Sequence, residues 1–281
     1  MELELTRSDP EVIRVEAKPG WVSLELGQLW EYRELIYFFA WRDIKVRYKQ
    51  TILGAGWTII QPLTSMVIFS IFFGRLIGVP SDGIPYPIFN YAALVPWMYF
   101  TTVLTYSANG LLSSASMIKK IYFPRLVIAI ASLISGGVDF LIAFVVLIAM
   151  IFYYNRTPTV NILWLPALLV LAIVASLGVG LWLATLNARY RDVKYLLPFL
   201  IQVWFFVTPI TYPSSILSGT WKILYGLNPM AGVVEGFRWA LLGTETPPGP
   251  MLAVSAVASV VLLVSGAFYH RKTERTIADV I

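Results

Sequence analysis

Tyr99, Thr102, Tyr106 and Asn109 recur at spacings that put them on one face of a helix. That face is aromatic and polar where a lipid-facing helix would carry aliphatic side chains. Two further stripes of the same character occur, one through Thr58, Gln61, Ser65, Phe69 and Phe72, the other through Phe199, Gln202, Phe206 and Pro209. An aromatic ring has an electronegative face, on which the C–H face of a pyranose can stack without one sugar being selected. Amides and hydroxyls add exchangeable hydrogen bonds, and the combination suits a sugar polymer that slides through a channel. The plain alternative is glue between helices, because polar side chains avoid hydrocarbon and turn toward a neighbouring helix or water.

Other chemistries find few residues to carry them. The chain has no cysteine and one histidine. That histidine, His270, sits beside Arg271 and Lys272 and reads as part of a charged flank. There is no HExxH pair for zinc and no G-x-x-x-x-G-K-[ST] loop for nucleotide. An intramembrane enzyme, which needs a titratable or metal-binding cluster, is disfavoured, and any use of ATP requires another polypeptide. Asp139 is the one acid deep in an apolar stretch. Such acids are costly and face the protein interior. With no second titratable group nearby, the expected role is a structural hydrogen bond to a neighbouring helix, made close by Gly136 and Gly137.

The elements that must position these residues follow from charge. Asp, Glu, Lys and Arg are absent from 50–74, 83–118, 157–188, 195–221 and 246–269, and 126–155 is interrupted only by Asp139. About 20 apolar residues at 1.5 Å rise cross a ~30 Å hydrocarbon core, and only helices or closed barrels satisfy their backbone there. These runs are too long for barrel strands. The reading is an all-α integral membrane protein with six spans, at about 57–78, 96–116, 127–153, 162–186, 195–212 and 250–269. A hydrophobic content of 58% against 13% charged agrees. The first apolar run lies behind a charged segment, so no cleavable signal peptide is expected. Seventeen of the 21 Lys and Arg residues fall on one side of this arrangement, leaving Arg75, Arg156, Lys222 and Arg238 on the other. Positive residues stay in the cytoplasm, which places both termini there. The net charge of +5 is thus a matter of topology and implies no nucleic acid.

Residues 29–48 interleave apolar positions with charges, as an amphipathic helix in the cytoplasmic interface does. Trp30, Tyr32, Tyr37 and Trp41 suit the headgroup zone, and Trp21, Trp57, Trp97, Trp164 and Trp221 fall near span ends as interface anchors. A short strand over 12–17 is expected in the tail that precedes it. The Pro- and Gly-rich loop 78–91 is expected to cap the outer mouth. Between spans five and six, Asn228-Pro229 reads as a cap followed by proline in the first turn, and Gly243 as a stop. A helix over 229–242 is too short to span and fits a re-entrant or surface position. Glu235 and Arg238, three apart, are placed to pair there, as part of an external gate.

Four segments then resemble a known family: WEYRELIYFFAWRDIKVRYKQTILGAGWTIIQP (30–62), KKIYFPR (119–125), NARYRDVKYLLPFLIQVWFFVTPITYP (187–213) and NPMAGVVEGFRWALLG (228–243). They are similar to permease subunits of ABC transporters that export lipid-linked polysaccharide, above all those for lipopolysaccharide O-antigen and teichoic acid. The resemblance implies a homodimer in the bacterial inner membrane and two cytoplasmic ATP-binding subunits. ATP and Mg would be held by those partners, with no cofactor in this chain. It also implies export of a lipid-linked glycan through a channel between protomers, and short re-entrant helices between spans five and six. It divides the chain into a tail (1–28), an interface helix (29–50), a six-span permease domain (51–270) and a second tail (271–281). Coupling to the ATPases falls to Arg42, Asp43, Lys45 and Arg47 and to the loop with Lys119, Lys120, Pro124 and Arg125, whose charges would otherwise only set topology. O-antigen is the expected cargo, with teichoic acid or capsular polysaccharide as alternatives. An ion-driven secondary transporter is a further alternative, against which stands the lack of an internal repeat.

Overall fold

The computed structural model describes residues 26–49, 51, 53–156, 159–190, 192–244 and 247–280. The expected strand over 12–17 lies outside these residues. Among the described residues eleven α-helices follow in chain order: α1 Leu26–Glu31, α2 Arg33–Tyr48, α3 Gly56–Phe69, α4 Tyr86–Ser113, α5 Ala115–Ile118, α6 Leu126–Tyr153, α7 Leu165–Arg189, α8 Val193–Val207, α9 Thr220–Tyr225, α10 Pro229–Leu242 and α11 Gly249–Val280. No strand occurs among the described residues. A π-helical stretch, Ser70–Ile77, prolongs α3, and a 3-10 turn, Val160–Trp164, leads into α7.

Among the described residues, four helical segments are long and apolar enough to cross a bilayer: Gly56–Ile77, Leu126–Tyr153, Val160–Arg189 and Gly249–Glu274. The other two expected spans correspond to α4 and α8, and both differ from their expected bounds. Helix α4 begins at Tyr86 rather than 96, because Pro96 lies inside it without ending it. An interior proline is tolerated in a helix enclosed by other helices, which absorb the freed backbone group. Nineteen of its 28 residues are buried, so α4 is surrounded by protein and can carry Asn90 and Ser107 at no cost in lipid contact. Helix α8 stops at Val207 instead of running to 212. Thr208 is extended (φ −98°, ψ 142°) because Pro209 follows it, and Pro209 therefore lies beyond the helix that was to carry it. At its other end α11 runs on to Val280, through the expected C-terminal tail.

The core is built around α4, which packs on α6, α7, α10 and α3. Small residues let the backbones approach. A Cβ at Gly136 would lie 3.0 Å from Val103, whereas Gly137 faces open space. Helices α7 and α11 are closer still: a Cβ at Gly178 would lie 2.6 Å from the Leu263 nitrogen, and one at Gly266 would lie 2.7 Å from the Gly178 oxygen. Trp97, expected at an interface, is buried instead, with Phe100 and Phe205 against its ring. Helix α2 docks on α6 through Phe39 and Ala40 and turns Tyr37 and Trp41 outward, and Trp30 on α1 is exposed too. Helix α3 and its continuation bury almost nothing within the chain, and α8 buries only Leu197.

Candidate functional site

A cavity of about 290 Å³ opens where the end of α2 meets α3, α4 and α6. Helix α2 carries Arg47 and Tyr48 in its last turn, and with no Gly or Pro from 28 to 53 the helix reaches them unbroken. Gly54, at φ +50°, turns the chain so that α3 returns with Trp57, Thr58 and Gln61 on the wall. Helix α4 adds Tyr99, Thr102 and Tyr106, and α6 adds Asp139. Five of the residues expected to line a channel thus meet in one place.

The floor is an ion pair. Arg47 bridges to one carboxylate oxygen of Asp139, and the Tyr48 hydroxyl donates to the other. Because the Tyr48 proton is committed to Asp139, the Thr58 hydroxyl, 3.3 Å away, is the donor toward Tyr48. Arg47 Nε donates to the Tyr106 hydroxyl at 2.9 Å, and its guanidinium carbon stands 4.4 Å from the centre of that ring. Nη2 of Arg47 is buried and has no hydrogen-bond partner among the described residues. Asp139 does serve a structural hydrogen bond, but its partners come from α2 and not from another apolar span. Arg47, grouped by sequence with partner-facing residues, turns inward. The sequence carries half of this signal: an acid in an apolar helix calls for a partner inside the protein, but not which helix supplies it.

The remaining channel candidates lie elsewhere. Phe69 stacks on Phe205 of α8 with centroids 5.4 Å apart. Ser65 is half-buried, and Phe72, Phe199, Gln202 and Phe206 lie exposed on the outer face of the single chain. Asn109 donates to Thr105 and accepts from Asn187, tying α4 to α7.

The two segments expected to couple lie against each other. Phe39 of α2 packs against Phe123 with centroids 5.5 Å apart. Arg42 pairs with Asp43 at 2.8 Å, reaches Ser114 Oγ at 3.3 Å and lies over the Phe39 ring. Pro124 and Arg125 are buried, and the Arg125 backbone N–H donates to Glu274 of α11 at 3.0 Å. Lys45, Lys119, Lys120, Ile121 and Tyr122 remain exposed. Sequence reasoning missed Glu274, which does not stand out until α11 is folded against the loop.

The irregular backbone after α8 is held by side chains. Helix α10 occupies the expected 229–242, with Asn228 as its cap: its side-chain oxygen accepts from Met230 N at 3.1 Å and from Trp204 Nε1 at 2.9 Å. Gly243 ends the helix at φ +66°. Asn228 Nδ2 donates back to the Val207 carbonyl and to Thr208 Oγ1. Arg238 is fully buried and pairs with Glu235 at 3.1 Å, as the spacing predicts. It also donates to the carbonyls of Phe89, Ile210 and Tyr212 and lies 3.6 Å over the Phe89 ring. Tyr86 and Asn90 bond the carbonyls of Thr211 and Ile210. Tyr225 donates to the Val207 carbonyl, and its hydroxyl lies 2.6 Å from that of Tyr212. Non-helical backbone survives at membrane depth only when protein satisfies it in this way.

Residues 34–242, from α2 through α10, match the model of the ABC-2 type transporter family. The chain belongs to that family. Among relatives of this ABC-2 permease is the O-antigen export system permease protein RfbA of Klebsiella pneumoniae, 28% identical over 261 residues, covering 92% of this chain and 98% of the relative. RfbA of Myxococcus xanthus is 25% identical, covering 88% and 95%. The polysialic acid transport protein KpsM of Escherichia coli is 24% identical, covering 83% and 91%. The ABC-2 match includes the whole cavity and the 119–125 loop, and stops before α11.

Proposed function

We infer that this ABC-2 permease is the transmembrane subunit of an ATP-driven exporter that carries a lipid-linked polysaccharide to the outer face of the bacterial inner membrane. The observation that carries this reading is the likeness, over nine-tenths of the chain, to a permease named for O-antigen export. The convergence of Thr58, Gln61, Tyr99, Thr102 and Tyr106 on one polar, aromatic cavity supports it. Likeness to a polysialic acid transport protein keeps capsular polysaccharide as the second cargo.

In this reading the chain crosses the membrane six times with both termini in the cytoplasm. Helix α4 and the α8 segment with its side-chain-bonded tail supply the spans beyond the four strongly apolar ones, and α9 and α10 re-enter from the outer side. Two copies meet along α3 and α8, whose faces are otherwise uncovered. This puts Phe72, Phe199, Gln202 and Phe206 on the translocation path, opposite their counterparts. Two ATP-binding subunits, which hold ATP and Mg, dock on Lys119, Lys120, Ile121 and Tyr122 and on the outer face of α2. ATP shifts the bundle between two arrangements only if these contacts differ in free energy between them.

The test is reconstitution in vesicles with and without the ATP-binding subunits, following a lipid-linked glycan. Glycan should reach the outer face only with both ATP and partner present. Export by the chain alone, or under a proton gradient without nucleotide, would overturn the reading.

A further inference from the structure

We propose that the cavity between α2, α3, α4 and α6 is a subsite for one uncharged sugar ring, with Arg47 and Asp139 as its recognition pair. The proposal rests on the export reading above and narrows it to a place and a chemical class.

The open hydrogen-bonding positions come first. Arg47 Nη1 is taken by Asp139 and Nε by Tyr106, while Nη2 is buried without a partner. A buried N–H group of a cation left unbonded is costly, and Nη2 has essentially no accessible surface, so a small shift of the Arg47 head toward the cavity would give this donor an acceptor on a bound ligand. Tyr106 accepts from Arg47 and still has its own hydroxyl proton to give. Gln61 and Thr102 stand on the same wall. A ring hydroxyl is donor and acceptor at once. Two adjacent ones can accept from Nη2 and donate to the Gln61 carbonyl or to Asp139.

Charge decides between ligand classes. Arg47 and Asp139 are in contact, so the floor is neutral as a unit. A phosphoryl group drawn to Arg47 meets the Asp139 carboxylate beside it, and gain and loss cancel. An acyl chain would leave Nη2 and the hydroxyls unsatisfied. A neutral polyol suffers neither penalty.

Shape agrees. Trp57, half-exposed, lines the cavity beside Tyr99 and Tyr106, and an aromatic ring is a surface on which sugar C–H groups stack. The cavity of about 290 Å³ is at the small end of ligand sites, roughly 300–1,000 Å³, which fits one ring and not an oligosaccharide. The ring would also touch the last turn of α2, so its arrival is felt by the helix that faces the ATP-binding subunits in the reading above.

The experiment is saturation-transfer NMR on the full-length permease with its ATP-binding subunits in nanodiscs, using neutral methyl glycosides of glucose, galactose and mannose. Transfer to ring C–H protons is expected, unaffected by inorganic pyrophosphate. It should fall roughly fivefold or more in Gln61→Ala and in Trp57→Ala, the scale of one lost hydrogen bond or stacking contact. Both side chains are exposed and can be removed without disturbing the core. The double variant Arg47→Met with Asp139→Leu removes both charges together and should abolish transfer. The proposal is overturned if no glycoside shows transfer, if all three variants transfer as the wild type does, or if pyrophosphate displaces the glycoside. A complex that exports glycan with ATP yet fails here refutes the subsite alone. Ring binding without ATP-driven export leaves the subsite standing and refutes the export reading.

Discussion

Glu274, on the last turns of α11, accepts a hydrogen bond from the backbone N–H of Arg125 at 3.0 Å, while its other oxygen pairs with Arg271 at 2.6 Å. The C-terminal helix thereby grips the 119–125 loop from one side, and α2 grips it from the other through Phe39 and Phe123. A loop pinned at both flanks moves only with the helices that hold it, which is what a part that transmits force requires.

Glu274→Ala should loosen that grip. A hydrogen bond to a charged group contributes about 1.5–3 kcal/mol, so a drop in unfolding temperature is expected in detergent. In the reconstituted complex, glycan moved per ATP hydrolysed should fall while hydrolysis continues. An unchanged ratio would remove the loop's clamp from the coupling path.

Arg238 has a carboxylate, three carbonyls and an aromatic face around it. Truncation to Ala leaves Glu235 in the interior without its cation and the Tyr212 carbonyl without its donor. Breaking a buried pair of this kind costs about 3–5 kcal/mol, enough to prevent accumulation of folded protein. Arg238→Lys keeps the charge without the planar fork and should fall between. Fluorescence-detected gel filtration of heated samples measures the order.

Asn228 both caps α10 and bonds the end of α8. Asn228→Ala should cost about 1 kcal/mol for the cap, with a further loss for the Trp204 indole N–H left without its acceptor. Asn228→Asp keeps the acceptor for Met230 and Trp204 but loses both donated bonds. Its unfolding temperature is expected between Ala and wild type.

Gly178→Ala and Gly266→Ala drive a methyl group into backbone between α7 and α11. Such overpacking costs about 1–3 kcal/mol or more when the neighbour is main chain. Gly137→Ala, with nothing within 4 Å, should leave expression and unfolding temperature unchanged. Equal behaviour of the three variants would contradict the helix spacing.

The absence of cysteine makes the topology directly measurable. Lys119→Cys and Tyr122→Cys should react with an impermeant maleimide only from the cytoplasmic side, and Asp82→Cys and Trp221→Cys only from the outside. Labelling of all four from one side would end the six-span reading.

Much of this architecture could be read from composition. Stretches without charge mark what lies in lipid, because desolvating a charge is costly whatever the fold around it. The bounds of α10 were legible for a local reason too: a cap side chain, a proline in the first turn and a left-handed glycine act within a few residues of themselves. The start of α4 was not legible, since Pro96 stops a helix in water but not one enclosed on every side by neighbours.

The candidate site divides in the same way. Helical spacing placed Tyr99, Thr102 and Tyr106 on one face, a matter of periodicity alone. Which stripes would meet was settled only by packing: Thr58 and Gln61 joined them, while Phe199, Gln202 and Phe206 did not. Nor did the order of residues reveal that Arg47 would leave the partner-facing set to join Asp139, or that Glu274 would reach Arg125 across 149 positions. Solvation is a property each segment carries by itself, so the chain's letters determined it. The partner of a buried charge depends on which helices touch and at what height, and only the folded bundle decides that.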